Sequence, residues 1–378
     1  MVIGTSFALT RKVENLISKE SDAMTHQISS HVSQRNSAPF HGSQLVPGTW
    51  NRPHEHFSAA LDSVWYRLLF RLYGKFVSST HAFFASKQFT PSLMPITCGS
   101  VSSPMGLGSD SLPVSVELFG TPTYLADSMQ FHLEYMLRHD TQGVFYIMQT
   151  FRGEDPDARH LNQFFHSEAE IRGDLSDVMS LVGEYVCYLA NDFLHDFGDE
   201  LRRLSIGTSH LEKMIELNGN IPRITFSQAC KMLGSRDEFY EPLPGGVRNL
   251  SRLGERTVMD RMGGITWLTH LPSHVVPFYQ AADEDGIHAR CADLLFGIGE
   301  VAGCGERHTS FGDTLAALKN HHVNPDEYEW YLRLKREYPM QTSGFGLGVE
   351  RFLMWLLKHD DIRDMALMNR LKDIQAAP

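Results

Sequence analysis

Residues 343–357 read Ser-Gly-Phe-Gly-Leu-Gly-Val-Glu-Arg-Phe-Leu-Met-Trp-Leu-Leu. Glycine at 344, 346 and 348 alternates with Phe345 and Leu347, the period of a strand, and the apolar run from Phe352 reads as a buried helix. A strand whose alternate residues are all glycine presents one face without side chains, open for something flat to lie on it. The helix that follows starts beside that bare face. It carries Glu350 and Arg351 in its first turn, near the positive end of the dipole, where anions are favoured. A glycine-rich strand packed closely against its neighbour gives the same spacing, so both readings stay open here. A dinucleotide-binding turn does not fit, because that fingerprint is GxGxxG at the start of a βαβ unit and this stretch is GxGxG.

Upstream, Phe151-Arg-Gly-Glu-Asp-Pro-Asp-Ala-Arg-His-Leu-Asn-Gln-Phe164 is a charged tip between two strand-like segments, residues 143–152 and 161–171. Arginine grips phosphate or carboxylate in a bidentate way, and here one stands near each end of the tip with an aromatic residue beyond. Arg152 directly follows an apolar strand, which argues against a plain surface ion pair. Phe57, Leu61, Val64, Trp65, Leu68, Leu69, Leu72 and Phe76 recur at helical spacing, predicting a long helix to about Ser86 that Phe89-Thr90-Pro91 ends. A second helix is predicted from Asp174 to Leu204, and strands over 264–271 and 275–279. Asp293 to Gly303 is an apolar stretch punctuated by carboxylates, and residues 99–113 read as a loop. Helices and strands do not alternate regularly, so the fold class is α+β with an antiparallel sheet, not a doubly wound fold.

Composition bounds the function. The 378 residues are 42% hydrophobic and 21% charged, with no apolar run of the roughly 18 residues that a membrane span needs. No membrane role is expected, and the mixed charges of the first thirty residues suggest neither signal nor transit peptide, which makes cytoplasm the default location. Cys98, Cys187, Cys230, Cys291 and Cys304 are scattered without a CxxC pair, so they read as reduced thiols. The histidines, His54, His56, His321 and His322 among them, lack a third ligand at zinc spacing. A net charge of -11 disfavours a large nucleic-acid partner. Residues 1–55 read as a partly ordered arm with a short amphipathic stretch from Phe7 to Ile17, ahead of one catalytic domain over 56–378.

Taken together, the stretches resemble the catalytic core of class II aminoacyl-tRNA synthetases, in the aspartyl and asparaginyl branch. FRGED...RHLNQF is similar to that class's motif 2, GFGLGVERF to motif 3, and the long helix ending at Phe89-Thr-Pro91 to motif 1. The resemblance implies ATP and Mg²⁺, an aminoacyl-adenylate, release of pyrophosphate and a homodimer. It gives Arg152 and Arg351 the catalytic roles, with Arg152 on the α-phosphate and substrate carboxylate and Arg351 on the adenine or the γ-phosphate. It places Phe164 against the adenine, and Glu154, Arg159, His160, Gly346 and Gly348 around the nucleotide. Asp293 and Glu300, seven residues apart, match the acids that hold Mg²⁺ in this branch.

The substrate end follows from the same resemblance. Asp127-Ser-Met-Gln-Phe-His-Leu-Glu134 is similar to the SxQ segment, which assigns Ser128 and Gln130 to the amino acid, and Arg307 stands where the branch pairs an arginine with the substrate side chain. Aspartate users carry a lysine where this chain has Leu133, and asparagine users a glutamate where it has Glu134, so asparagine is the expected substrate. Gln163 departs from the usual glutamate. The resemblance begins near residue 57, without the anticodon-reading barrel of those synthetases, so full-length tRNA is not the expected partner and a small molecule or carrier is the expected acceptor. Two alternatives remain: an ammonia-dependent asparagine synthetase acting on aspartate, and a catalytically silent ATP-binding regulator.

Overall fold

Helix boundaries follow the capping residues of the chain. In the computed structural model, which describes residues 46–103, 111–242 and 248–374, Asp174 and Asp177 close a capping box at the start of the helix Leu175–Arg203. Ser63 accepts from the Trp65 N–H and caps the helix Val64–Ser86. The periodic run that reads as one helix from Phe57 is therefore two, Pro53–Asp62 and Val64–Ser86. Ser63 breaks it by lying in extended conformation, because a serine is favoured as a cap and not inside a helix. Residues 1–45, with the stretch from 7 to 17, lie outside the described residues, as do residues 104–110 of the predicted loop.

Eight strands make the main sheet: β1 Thr90–Pro91, β2 Gly143–Phe151, β3 Gln163–Arg172, β4 Arg223–Thr225, β5 Ile265–Thr269, β6 Cys291–Phe296, β7 Gly299–Glu306 and β8 Thr342–Gly348. Their order across the sheet is β1-β2-β3-β8-β7-β6-β5-β4. All pairings from β2 through to β5 are antiparallel, and the short edge strands β1 and β4 join in parallel. This is the expected α+β organisation. Smaller sheets pair Val114–Leu118 with Thr121–Leu125 and Tyr240–Pro242 with Arg248–Leu250.

One face of the sheet is buried. Phe145, Ala169, Phe345, Leu347, Ala302 and Leu294 point into the largest core, against the helices Val64–Ser86, Leu175–Arg203 and Val349–Leu357. Burying a face of this size removes the apolar half of each strand from water and fixes the register, since a one-residue slip would turn the core residues outward. The other face carries polar side chains and glycine at its middle, on β3, β8 and β7, while at its flanks Val144, Tyr146 and Met148 of β2 and Cys291 and Leu295 of β6 pack into smaller cores. Among the described residues no helix is long and apolar enough to cross a membrane.

Two local expectations change. Residues 275–279 are not a strand: a 3₁₀ turn at Ser273–Val275 runs into an irregular segment, because Pro277 has no N–H to give a ladder. Phe278 and Tyr279 are nevertheless buried. The stretch Asp293–Gly303 is a hairpin of β6 and β7, turning at Gly297 with φ +64°.

Candidate active site

The register explains the glycines. Gly344, Gly346 and Gly348 of β8 stand opposite Glu170, Glu168 and His166 of β3. On the other side, Gly305 and Gly303 of β7 stand opposite Gly344 and Gly346, and Cys291 and Asp293 of β6 opposite Gly305 and Gly303. Residues directly opposite in antiparallel strands share a face, so two strands of bare backbone lie between a row of His166, Glu168 and Glu170 and a row of Cys291 and Asp293. At about 4.8 Å per strand the trough is roughly 14 Å across. Both readings of the glycines hold, at different positions. Gly346 and Gly348 line an open cavity, whereas Gly344 is packed closely, and a Cβ there would overlap the Glu170 carboxylate and stand 2.8 Å from the Ala169 carbonyl. Gly344→Ala is expected to cost about 1–3 kcal/mol by overpacking, read as a lower urea midpoint at unchanged slope.

A cavity of about 320 Å³ lies over the end of the trough. Arg152, Glu154, Arg159 and His160 line it from the hairpin tip, Phe164 from β3, and Arg351 from the first turn of the helix Val349–Leu357. With Gly346 and Gly348, these are the residues that the sequence assigns to the nucleotide. Arg152 has no carboxylate partner among the described residues; its Nε is buried without a hydrogen bond, and its guanidinium lies 5.6 Å from the Phe164 ring centroid. The Nε of Arg159 and Oε2 of Glu154 are buried and unpartnered as well. Burial, and then the charge of Arg351, push Arg159 and His160 down from their ordinary values. A cluster of cations that repel one another around a concave, partly apolar site fits a polyanion with a flat ring.

Glu350 also lines the larger cavity, but its carboxylate is already engaged within the protein. Its carboxylate is buried, accepts from the Phe165 N–H at 3.1 and 3.0 Å and from the Tyr73 hydroxyl at 3.2 Å, and burial pushes it up to about 7. It ties the helix Val349–Leu357 to β3 beside Phe164, which fixes Arg351 relative to the aromatic ring.

Asp293 and Glu300 converge over Gly303. A Cβ at that glycine would stand 2.9 Å from Glu300 Oε1 and 3.5 Å from Asp293 Oδ1. Arg351 reaches the Glu300 carbonyl at 2.9 Å and its carboxylate at 3.5 Å. Burial, then the Glu300 and Glu255 carboxylates, raise Asp293 well above the carboxylate range, and burial and Glu300 raise Glu255 to about 7. Such mutual repulsion among oxygen donors fits a hard cation. Among the described residues no group of three or more His, Cys, Asp or Glu side chains is placed to hold a metal by itself, so the pair would share an ion with a ligand's oxygens.

A second cavity, about 170 Å³, meets the first at Arg152, His166, Glu300 and Gly346. Ser128 and Gln130 line it, as the sequence expects of amino-acid contacts, together with Asp127, Glu168 and Asp293. Ser128 Oγ donates to Glu168 at 2.6 Å, Gln130 at 3.4 Å, and the Tyr146 hydroxyl also donates to that carboxylate, yet burial holds it up at about 7. Arg307 is fully buried behind this cavity: Nε and Nη2 pair with Glu170 at 3.1 Å each, Nη2 with Gln130 Oε1 at 2.7 Å, and Nη1 with Gln280 Oε1 at 3.1 Å. Arg307 thus meets the substrate side through Gln130 and Gln280. Glu134 lines neither cavity. Its carboxylate is taken by Lys335 Nζ and Thr342 Oγ1, each at 2.6 Å, and by the Tyr331 hydroxyl.

His166, Glu168, Glu170 and Gln280 were not picked out from sequence. The signal for the first three was present, since polar residues at every second position from 166 to 170 face away from Phe165, Ser167, Ala169 and Ile171. Gly303 and Gly305 carry the same period-two mark as β8. Nothing local marks Gln280, which follows Pro277 in an irregular segment and reaches the site only by tertiary packing over Gly305.

A family model for tRNA synthetases class II (D, K and N) matches residues 59–372. An asparagine–tRNA ligase of Thermoplasma acidophilum is 30% identical over 254 residues, 66% of this chain and 57% of that protein. One of Koribacter versatilis is 28% identical over 304 residues, 78% of this chain and 66% of that protein. The chain therefore spans somewhat under two thirds of the length of these relatives. Among solved structures, asparaginyl-tRNA synthetase from Pyrococcus horikoshii complexed with asparaginyl-adenylate superimposes with a TM-score of 0.75 at 24% identity, over 87% of this chain and 73% of that one, a likeness of fold.

Proposed function

The chain belongs to the class II tRNA synthetases of the D, K and N group, a family of ATP-using ligases, and from that premise we propose that it activates a small amino acid, asparagine above all, as the aminoacyl-adenylate. One observation carries the reading: Arg152, an arginine without a counter-ion among the described residues, stands where the two cavities meet. There a single guanidinium reaches both an α-phosphate in the larger cavity and an amino-acid carboxylate in the smaller one. The reaction is attack of that carboxylate oxygen on the α-phosphorus, with pyrophosphate leaving. Neither reactant gives up a proton, so positioning and charge neutralisation suffice. Phe164 supports the adenine, Arg159 and His160 face the outer phosphates, and Arg351 is held between Glu300 and the nucleotide cavity. Asp293 and Glu300 would hold Mg²⁺, which when bound neutralises phosphate charge.

The preference for a neutral side chain rests on the lining. Asp127, Glu168 and Asp293 make the smaller cavity acidic, Leu133 supplies no lysine, and Glu170 already neutralises Arg307. With Arg152 engaged by the α-carboxylate and the phosphate, a second substrate carboxylate would meet no further unpaired cation among the described residues that line the smaller cavity. Exposed Phe70, Val77, Leu93 and Ile96, on or just after the helix Val64–Ser86, support self-association into a homodimer. The acidic balance of the chain, at -11, favours a small acceptor over full-length tRNA.

The test is amino-acid-dependent exchange of ATP with pyrophosphate, without tRNA, across the standard amino acids. Exchange with asparagine and not aspartate is the expected result. Aspartate-dependent AMP release that requires ammonium would make the protein an asparagine synthetase instead. ATP binding without exchange would make it a silent relative.

A further inference from the structure

Amino-acid activation leaves one polar side chain of the site without a task. His166 lies where the two cavities meet, opposite Met148 of β2 on one side and Gly348 of β8 on the other, so on the β8 side no cross-strand side chain stands beside its ring. Nδ1 is 3.2 Å from Glu168 Oε1 and 3.3 Å from Thr150 Oγ1, and the ring stands edge-on to Phe164 at a centroid distance of 4.9 Å. A ring nitrogen beside a carboxylate carries the proton and donates it, which leaves Nε2 with its lone pair. Nε2 has no hydrogen-bond partner among the described residues, and the ring lines both cavities. Glu168 is itself fixed by Ser128, Gln130 and Tyr146. The arrangement is a carboxylate beside an imidazole that lines both cavities and whose second nitrogen is free, the logic by which an activated nucleophile is given its base.

We propose that His166 is the general base of the second half of the reaction, taking the proton of the hydroxyl, amine or water that attacks the adenylate. The proposal rests on the adenylation reading above. The first half moves no proton, but the second must. The nucleophile's oxygen or nitrogen forms a bond to the carbonyl carbon, its proton passes to Nε2, and the bond from that carbon to the phosphate oxygen breaks with its electron pair on AMP. Glu168 faces the imidazolium so formed, and the proton leaves through the cavity to solvent with AMP. Burial, then Arg152 and Arg351, hold the ring neutral before the reaction, at about 3 in the ligand-free site, so it enters as a base. The adenylate's phosphate, bound between those arginines, offsets the charge that disfavours the imidazolium.

Water and hydroxylamine serve as nucleophiles in the test, since both can be supplied without knowing the natural acceptor. For wild type, His166→Gln and His166→Asn, three rates are measured with the best amino acid: pyrophosphate exchange, AMP release into water, and hydroxamate formation. General bases contribute roughly 10²–10⁴-fold. The ratio of AMP release to exchange is expected to fall at least tenfold in both variants, with a smaller fall for hydroxylamine, which needs less help from a base. An unchanged ratio overturns the assignment. Full AMP release in the asparagine variant, whose amide can still donate to Glu168, overturns it too and makes His166 a positioning residue. No exchange by wild type with any amino acid overturns the adenylation reading itself, and the base with it, which is a distinct result from normal exchange with an unaltered ratio.

Discussion

Arg152→Met is expected to lower asparagine-dependent pyrophosphate exchange by roughly 10³-fold, about 4 kcal/mol of transition-state stabilisation, while the melting temperature of the ligand-free protein stays level or rises. The two halves of this result have one cause. In the ligand-free protein Arg152 adds a third positive charge to Arg159 and Arg351 around one cavity and leaves its Nε buried without a partner. Removing it relieves repulsion and an unsatisfied donor, the familiar exchange of stability for function. On the proposed adenylation, the same cation is the group that would face both reactants in the transition state. Arg152→Lys recovers little, since an ammonium cannot bridge two anions in the planar, two-pronged way of a guanidinium. Exchange kinetics with ATP and asparagine varied separately, beside calorimetry, check the claim. An unfolded variant, or a folded one with normal exchange, would remove Arg152 from the chemistry.

How much of this could be read from the chain depends on the range of each signal. The alternation of Gly344, Gly346 and Gly348 predicts a bare strand face, and the structure has one, because the period of a strand is local and unambiguous. Arg152 and Arg351 also carry their meaning locally, since one directly follows a strand and the other stands in the first turn of a helix. What the glycines make room for was not legible in the same way. Glu168 and Glu170 come from β3, and only the β3–β8 register brings them opposite the bare positions. Glu134 shows the limit most clearly. Its place four residues after Gln130 marks it by similarity as a substrate contact, but the helix Gln130–Met136 turns that position away from Gln130's cavity and toward Lys335, 201 residues distant in sequence. A helix of this length presents positions one turn apart to nearly the same side, so spacing alone cannot tell a pocket wall from the anchor behind it. The break at Ser63 is the converse case, where a capping residue carried the information and the apolar period masked it.

The second large effect concerns that anchor. Lys335→Met is expected to destabilise the protein by about 3–5 kcal/mol, the cost of leaving a buried charge without its partner. Glu134 and Lys335 are both buried, and their side chains meet at 2.6 Å. Burial alone would raise the Glu134 carboxyl, but Lys335 and Arg138 overcome it and hold the group down at about 2, so it stays ionised throughout the physiological range. With the lysine gone, Thr342, Tyr331 and the more distant Arg138 cannot compensate the charge fully, and the group must protonate or the helices must part. Glu134→Met with Lys335→Met is expected to recover more than half of the loss, because an apolar pair replaces an ion pair at little net cost. Urea denaturation of the two single variants and the double variant gives the coupling directly. Additive losses in that cycle would mean that the two charges are not a pair. The pair also has a reading in activity. Glu134 holds Thr342, the first residue of β8, against the helix that begins with Gln130. In the double variant the floor of the trough is joined to the helix of Gln130 by packing alone, so on the proposed function the Michaelis constant for asparagine is expected to rise severalfold with that for ATP unchanged. An equal rise in both would place the effect in the sheet as a whole, and a fall in kcat alone would place Glu134 nearer the reacting atoms than its bonds to Lys335 and Thr342 allow.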